Sequence, residues 1–205
     1  MSLAELVNTM RVGAPFLHPE ILVLLSGGVD SSACVNFYRE LGRPVCGLFV
    51  DYGQPAAAQE ARSALAVAKY YSVPLRRLVL QGSSSKSVGL IQGRNMFLLA
   101  SAVMERPKTV TVIAIGIHSG TEYVDCSEDF LARAQRLLDL LEPGVVRFTA
   151  PFLEWNKGEV LSYCVDARIP VDLTYSCERG GPEPCMVCSS CRDRESLNAC
   201  SPIQL

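Results

Sequence analysis

Two short stretches of this 205-residue chain hold side chains that could do chemistry. The first runs from Leu25 to Val35 and reads LSGGVDSSACV. Gly27 and Gly28 let a ligand approach the backbone, and Asp30, Ser31 and Ser32 stand where a helix begins. Unpaired N–H groups, three hydroxyls counting Ser26, and the positive end of a helix dipole then point at one place, which suits phosphate. No GxxxxGK[ST] pattern is present and no lysine follows the glycines, so this is not a Walker A loop.

The second is Cys177, Cys185, Cys188 and Cys191, four thiols within 15 residues on a stretch rich in Gly and Pro. Tetrahedral zinc takes four such ligands, and CxxC spacing lets two sulfurs reach one ion. With no open position implied, the reading is one structural zinc per chain. Binding would fold the tail, by about 10–16 kcal/mol at comparable sites. Reduced, unliganded cysteines are the alternative, as is CxxC redox chemistry, though that motif usually sits in a βαβ unit. Of the nine cysteines, Cys34, Cys46, Cys126, Cys164 and Cys200 are scattered. A disulfide framework fits poorly with a large core.

The elements that must position these groups follow from the hydrophobic pattern. Glu20 to Leu25 is a short apolar run suited to a buried parallel strand, and the apolar pattern Ala33, Val35, Phe37, Tyr38, Leu41 makes the next segment a helix. Pro44 to Asp51 predicts a second strand, with Asp51-Tyr52-Gly53-Gln54 at its carboxyl end. A helix from Pro55 and a strand over Leu75 to Leu80 come next. Gln81 to Gln92 reads as a polar loop, and Gly93-Arg94-Asn95 opens a helix ending before Pro107. Thr109 to Ile117 is a strand, Ser127 to Leu141 an amphipathic helix, Gly144 to Ala150 a strand, and a helix follows Asn156-Lys157 to about Ala167. This alternation predicts an α/β doubly wound parallel sheet, whose ligands bind beyond the strands' carboxyl ends.

Length predicts one domain with a small appendage: a lead-in over 1–19 with a short amphipathic helix, a nucleotide-binding domain over 20–170, and a metal-binding tail over 171–205. Hydrophobic residues make up 49% and charged ones 20%, enough for a core without disulfides. A net charge of −2 argues against bulk nucleic-acid binding. No leader pattern or membrane-length apolar run is seen, so the expected location is cytoplasmic, away from membranes.

SGGVDSS matches the PP-loop of the ATP pyrophosphatases, a HUP-like (adenine nucleotide alpha hydrolase-like) group. That resemblance implies a grip on the β- and γ-phosphates and cleavage of ATP between its α- and β-phosphates. With DYGQ, GRN at Gly93 to Asn95, YVDC at Tyr123 to Cys126, NK at Asn156-Lys157, and TYSC…CMVCSSCRDR over Thr174 to Arg194, the chain resembles the QueC family of 7-cyano-7-deazaguanine synthases. The resemblance implies that ATP with Mg²⁺ activates the carboxylate of 7-carboxy-7-deazaguanine, that ammonia gives an amide, and that a second activation gives the nitrile. It implies ATP contacts from Leu25, Ser26, Gly27, Gly28, Val29, Asp30, Ser31, Ser32, Gly53 and Arg94. Catalytic roles fall to Ser26, Asp30, Arg94 and Lys157, substrate contacts to Tyr123 and Asp125, and the metal to the four cysteines; a homodimer is expected.

From the residues alone, Arg94 and Lys157 are equally readable as solvated helix-start residues, and Asp125 as the N-cap of the following helix. Where the family usually carries Arg-His after DYGQ, this chain has Pro55-Ala56. Ser127 replaces an arginine after YVDC, and the loops before GRN and YVDC are shorter. Those departures raise a second expectation: an open mouth, an amide product, and a protein amine such as an N-terminus as acceptor, as in defence-associated relatives. Other classes remain, namely a tRNA-modifying enzyme, which would call for a basic face, and a nucleotide-sensing or zinc-mediated interaction module without catalysis.

Overall fold

A computed structural model describes residues 20–81, 89–118 and 123–200, with side chains to 196. The expected lead-in helix, most of the Gln81 to Gln92 loop and the middle of GIHSGTEYVDC lie outside these residues. Five strands are found: β1 (Glu20–Leu24), β2 (Val45–Asp51), β3 (Leu75–Val79), β4 (Val110–Ala114) and β5 (Arg147–Thr149). They form one parallel sheet in the order β3-β2-β1-β4-β5. The helices are α1 (Val29–Glu40), α2 (Ala57–Tyr71), α3 (Arg94–Glu105), α4 (Glu128–Leu141), α5 (Lys157–Asp166) and α6 (Ser189–Cys200).

The two-residue repeat of β1 sorts its side chains between two cores. Ile21, Val23 and Leu25 pack with α1, α2 and α5, and Leu22 and Leu24 pack with α3 and α4. A strand covered on both faces must be apolar, which is why Ile21 to Leu24 read as an unbroken apolar run, with Glu20 half-buried at the strand's start. From β1 the chain winds outward through β2 to β3, then crosses back to β4 on β1's other side. The carboxyl ends of β1 and β4 therefore flank the point where winding reverses, the place where open α/β sheets bind ligands.

Strand ends differ from expectation. β4 stops at Ala114, before Ile115 to Ile117, and β5 keeps only three residues of the stretch from Gly144. Helix α2 starts at Ala57, two residues beyond Pro55. The sequence reading has no counterpart of α6, because SSCRDRESLNAC lacks an apolar stripe. Its first turn is held instead by Glu178, whose Oε1 accepts from Ser189 Oγ and Ser190 Oγ, both at 2.9 Å.

Just past β4, a Cβ on Gly116 would sit 2.6 Å from the Asp30 carbonyl oxygen and 3.0 Å from Ser31 N. Both are helix backbone and cannot yield. Gly116→Ala is expected to cost about 1–3 kcal/mol, read as a lower urea midpoint at unchanged slope. An unchanged midpoint would show that α1 does not start against Gly116.

Candidate active site

The SGGVDSS turn is built by backbone fit. Gly27 has φ +82°, and a Cβ there would lie 2.5 Å from Ala64 N and 2.6 Å from the Glu60 carbonyl oxygen, both on α2. Its own carbonyl accepts from Tyr175 N at 2.9 Å. The Gly28 carbonyl accepts from Ser31 Oγ at 3.0 Å, Ser32 Oγ at 2.9 Å and Ser32 N at 3.0 Å. Ser26 Oγ donates to Ser31 Oγ at 3.1 Å and accepts from Gly28 N at 3.3 Å. The three hydroxyls thus brace the turn as well as facing an anion. No side chain caps α1 at Gly28, which leaves its first N–H groups open to a ligand.

A cleft of about 600 Å³ opens above the turn. Ser26, Gly28, Val29, Asp30 and Ser31 line it, whereas Leu25, Gly27, Ser32 and Gly53, also expected at the nucleotide, are not among its lining residues. Lys157 Nζ crosses from α5 to Asp30, 2.8 Å from Oδ1 and 3.0 Å from Oδ2, each side chain about a quarter exposed. Lys157 is the first residue of α5, the wrong end of a helix dipole for a cation. Asp30 offsets that, and a capping box of Asn156 and Glu159 fixes where the helix starts. Lys157 is therefore a partnered group on the cleft wall, not a solvated helix start.

The far wall joins two of the sequence motifs. Buried Asn95 donates from Nδ2 to the Asp125 carbonyl at 2.9 Å, and its N–H donates to Asp125 Oδ2 at 3.4 Å. Arg94 Nε donates to Asn95 Oδ1 at 3.4 Å. Tyr123, Asp125 and Arg94 all reach the cleft. The N-cap of α4 is Ser127, whose Oγ accepts from Phe130 N, so Asp125 is not that helix's cap. Ser127, Pro55 and Ala56 are absent from the cleft lining. The substitutions that suggested a widened mouth therefore do not border it at those positions.

Several lining residues were not singled out from the sequence: Asn95, Gln54, Glu60, Tyr175, Asp193 and Arg194. Of these, all but Glu60 lay inside quoted motifs, Asn95 in GRN, Gln54 in DYGQ and the other three in the Thr174 to Arg194 stretch, and Glu60 is the first acid in an Ala-rich helix. Gln54 Nε2 donates to Glu60 Oε2 at 2.8 Å and to the Val50 carbonyl at 3.2 Å. Burial raises the pKa of Glu60 above the ordinary carboxylate value, against the Gln54 hydrogen bond and the Arg94 charge, which lower it.

The four cysteine sulfurs all lie within 4.8 Å of one another, an arrangement that could hold a metal. Cys185 Sγ and Cys191 Sγ are 3.9 Å apart, close to the ~3.8 Å edge of a tetrahedron with ~2.3 Å metal–sulfur bonds. Backbone N–H groups of Val187 and Cys188 bring the Cys185 thiol down to about 6, and burial pushes Cys191 up to about 12. The knuckle is seated on the nucleotide side: a Cβ on Gly180 would come 2.0 Å from the Pro55 carbonyl oxygen. Arg194, on α6, donates to Thr174 Oγ1 and the Val171 carbonyl, tying the helix that carries Cys191 to the segment that meets Gly27. Among the described residues, no helix is long and apolar enough to cross a membrane.

The family described as queuosine biosynthesis protein QueC matches residues 20–89 and 80–199. A 7-cyano-7-deazaguanine synthase from Synechococcus sp. (strain RCC307) is 30% identical over 85% of this chain and 92% of its own length. One from Synechococcus sp. (strain CC9311) is also 30% identical, over 88% and 96%. Among solved structures, the U34-tRNA thiolase NcsA from Methanococcus maripaludis with its [4Fe-4S] cluster matches at TM-score 0.57 and 16% identity, over 98% of this chain and 74% of that one. NMN synthetase from Francisella tularensis matches at 0.55 and 15%, over 98% and 85%. At such identities the likeness speaks for the fold alone.

Two outcomes are expected. Cys188→Ser, or chelation of the wild type, should release the metal and weaken binding of a non-hydrolysable ATP analogue at least tenfold, because the tail's hold on Gly27 and Pro55 loosens. Equal affinity in metal-free protein would separate the tail from the phosphate turn. Glu60→Gln should stabilise the fold at neutral pH. With its folded pKa raised, the unfolded chain releases this proton first, so wild-type stability falls as pH rises above the unfolded carboxylate value. The variant lacks that loss, and a melting temperature at or below wild type at pH 7 would contradict it.

Proposed function

The chain belongs to the QueC family, and from that premise we propose that it is an ATP-dependent carbon–nitrogen ligase acting on 7-carboxy-7-deazaguanine, working in the cytoplasm. The observation that carries this reading is one cleft at the β1–β4 switch that combines the phosphate turn, the Lys157–Asp30 pair and the Tyr123–Asp125 wall.

The substrate carboxylate oxygen attacks the α-phosphorus of ATP. The bond from that phosphorus to the α–β bridging oxygen breaks, and pyrophosphate leaves with the electron pair. The open N–H groups of α1, Ser26 and Lys157 stabilise the charge gathering on it. Lys157 exchanges one oxygen of Asp30 for a phosphate oxygen, so its charge is used without being desolvated alone. Asp30 is the carboxylate that would hold a Mg²⁺ brought in with the nucleotide, which would supply charge neutralisation at the phosphates, and Arg94 adds positive charge at the cleft's other side. Tyr123 stacks on the deazaguanine, and Asp125, oriented by Asn95, accepts from its ring N–H and amino group. Ammonia then attacks the acyl carbon and AMP departs; a second activation, at the amide oxygen, leads to the nitrile.

Zinc is the metal we assign to the four cysteines. A span within 4.8 Å suits thiolates that share one ion, whereas a four-iron cluster carries each cysteine on a different iron. We divide the chain into a nucleotide-binding unit to about residue 170 and a metal-bearing tail that completes its cleft.

A protein amine could take the same acyl group. Ammonia is favoured because the relatives that match most of this chain are 7-cyano-7-deazaguanine synthases, whose product carries a nitrile nitrogen. Product mass distinguishes nitrile from protein conjugate. For activation itself, pyrophosphate exchange into ATP should require the deazaguanine carboxylate. Ser26→Ala, Asp30→Ala and Lys157→Ala should each slow that exchange by about 10²–10³. Exchange absent from the wild type would leave the non-catalytic reading standing.

A further inference from the structure

Glu60 lies on the cleft wall, and nothing in the activation step uses it. Its backbone carbonyl abuts Gly27, so the side chain leaves α2 beside the phosphate turn. Gln54 holds one carboxylate oxygen, and Gln54 is itself fixed at both ends: Nε2 to the Val50 carbonyl, Oε1 from Tyr52 N at 2.9 Å. Both donors of that amide are spent, so it can only orient Oε2 and cannot reach Oε1 as well. Among the described residues Glu60 has no ion pair within 4 Å.

A half-buried carboxylate, oriented at one oxygen and open at the other, facing a reaction cleft, is placed to bind a small cation and take a proton from it. The reaction proposed above brings one such cation. At neutral pH its nitrogen donor is almost wholly ammonium, which has no lone pair, so a base must free it next to the acyl carbon. Resting on that reading, we infer that Glu60 is the catalytic base that binds ammonium and delivers ammonia to the acyl-adenylate.

One ammonium N–H bond breaks, the proton passing to a Glu60 oxygen and the electron pair staying on nitrogen. That pair forms the C–N bond, the acyl C–O bond to AMP breaks, and AMP leaves with its electrons. The surplus proton on nitrogen goes to water, and Glu60 returns its own proton to solvent. The groups facing Glu60 suit the role. Burial and Asp51, at the end of β2, raise its basicity, while Arg94 from α3 and the Gln54 amide keep it ionised to accept. Tyr175 from the tail and Tyr52 close the surroundings.

A purely structural Glu60, there to anchor Gln54, would treat all nucleophiles alike, and the test uses that difference. Full-length wild type and Glu60→Gln, which keeps an oxygen for the Gln54 hydrogen bond, are given ATP, Mg²⁺ and 7-carboxy-7-deazaguanine with either ammonium or hydroxylamine. Hydroxylamine is neutral at about pH 7 and needs no base to expose its lone pair. Amide formation by the variant should fall about 10²-fold, hydroxamate formation far less, so that their ratio drops at least tenfold. The gap should narrow toward about pH 9, where free ammonia is plentiful. Glu60→Asp, with the carboxylate drawn back by one methylene, should show a smaller drop in the same direction. An unchanged ratio, with carboxylate-dependent pyrophosphate exchange present in the wild type, overturns the role of Glu60 and leaves the proposed function intact. No such exchange in the wild type overturns both.

Discussion

Gly27 occupies a gap with no room for a side chain, and the rest of the site depends on that close approach. The backbone of α2 closes on it from one side, with Ala64 N 2.5 Å from where a Cβ would be, and Tyr175 N reaches its carbonyl from the other at 2.9 Å. A positive φ gives glycine a conformational advantage, and the contact with helix backbone leaves no alternative. Because the turn is clamped at Gly27, the first N–H groups of α1 and the side chain of Asp30 have a fixed direction. Lys157 can then meet Asp30 from a different helix. The chemistry of the cleft is thus set by backbone packing first and by charge second.

The same clamp makes the cysteine-bearing tail part of the site. Tyr175 precedes the first cysteine by two residues, Gly180 lies on the Pro55 carbonyl, and Arg194 on α6 fastens Thr174 and Val171. Asp193, Arg194, Ser190 and Tyr175 face the cleft directly. A metal there would order a wall of the cleft as well as a surface knuckle, since binding to a site that the unfolded tail lacks contributes to folding. Glu178 carries a related load: it caps α6, whose own sequence offers no apolar stripe to hold it in place.

Much of this was legible before any coordinates. The apolar run of β1 followed by SGGVDSS announced a buried strand feeding a turn at a cleft, and four clustered cysteines announced a group that could hold a metal, because both signals are local. Residues joined only by the fold were not legible. Nothing near Glu60 says that its carboxylate will meet Gln54, and nothing near Tyr175 says that it will bond to Gly27. The helix-cap alternative for Asp125 rests on its neighbours alone, but Ser127 takes that place, and Asp125 is held by Asn95 thirty residues away. Likewise, Pro55-Ala56 looked like a trimmed rim, although the chain turns these residues toward the metal knuckle. Helix α6 escaped notice because side-chain capping and the clustered cysteines, rather than periodicity, define its start.

The central claim is that this cleft joins a carboxylate oxygen of 7-carboxy-7-deazaguanine to the α-phosphorus of ATP. Oxygen labelling tests it without reference to any single residue. With substrate carrying ¹⁸O in both carboxylate oxygens, turnover in unlabelled water with ammonia should give AMP bearing one ¹⁸O, detected by mass spectrometry, while pyrophosphate stays unlabelled. AMP without label, or label in pyrophosphate or inorganic phosphate, would contradict the account, because the carboxylate would then not be the group that attacks the α-phosphate.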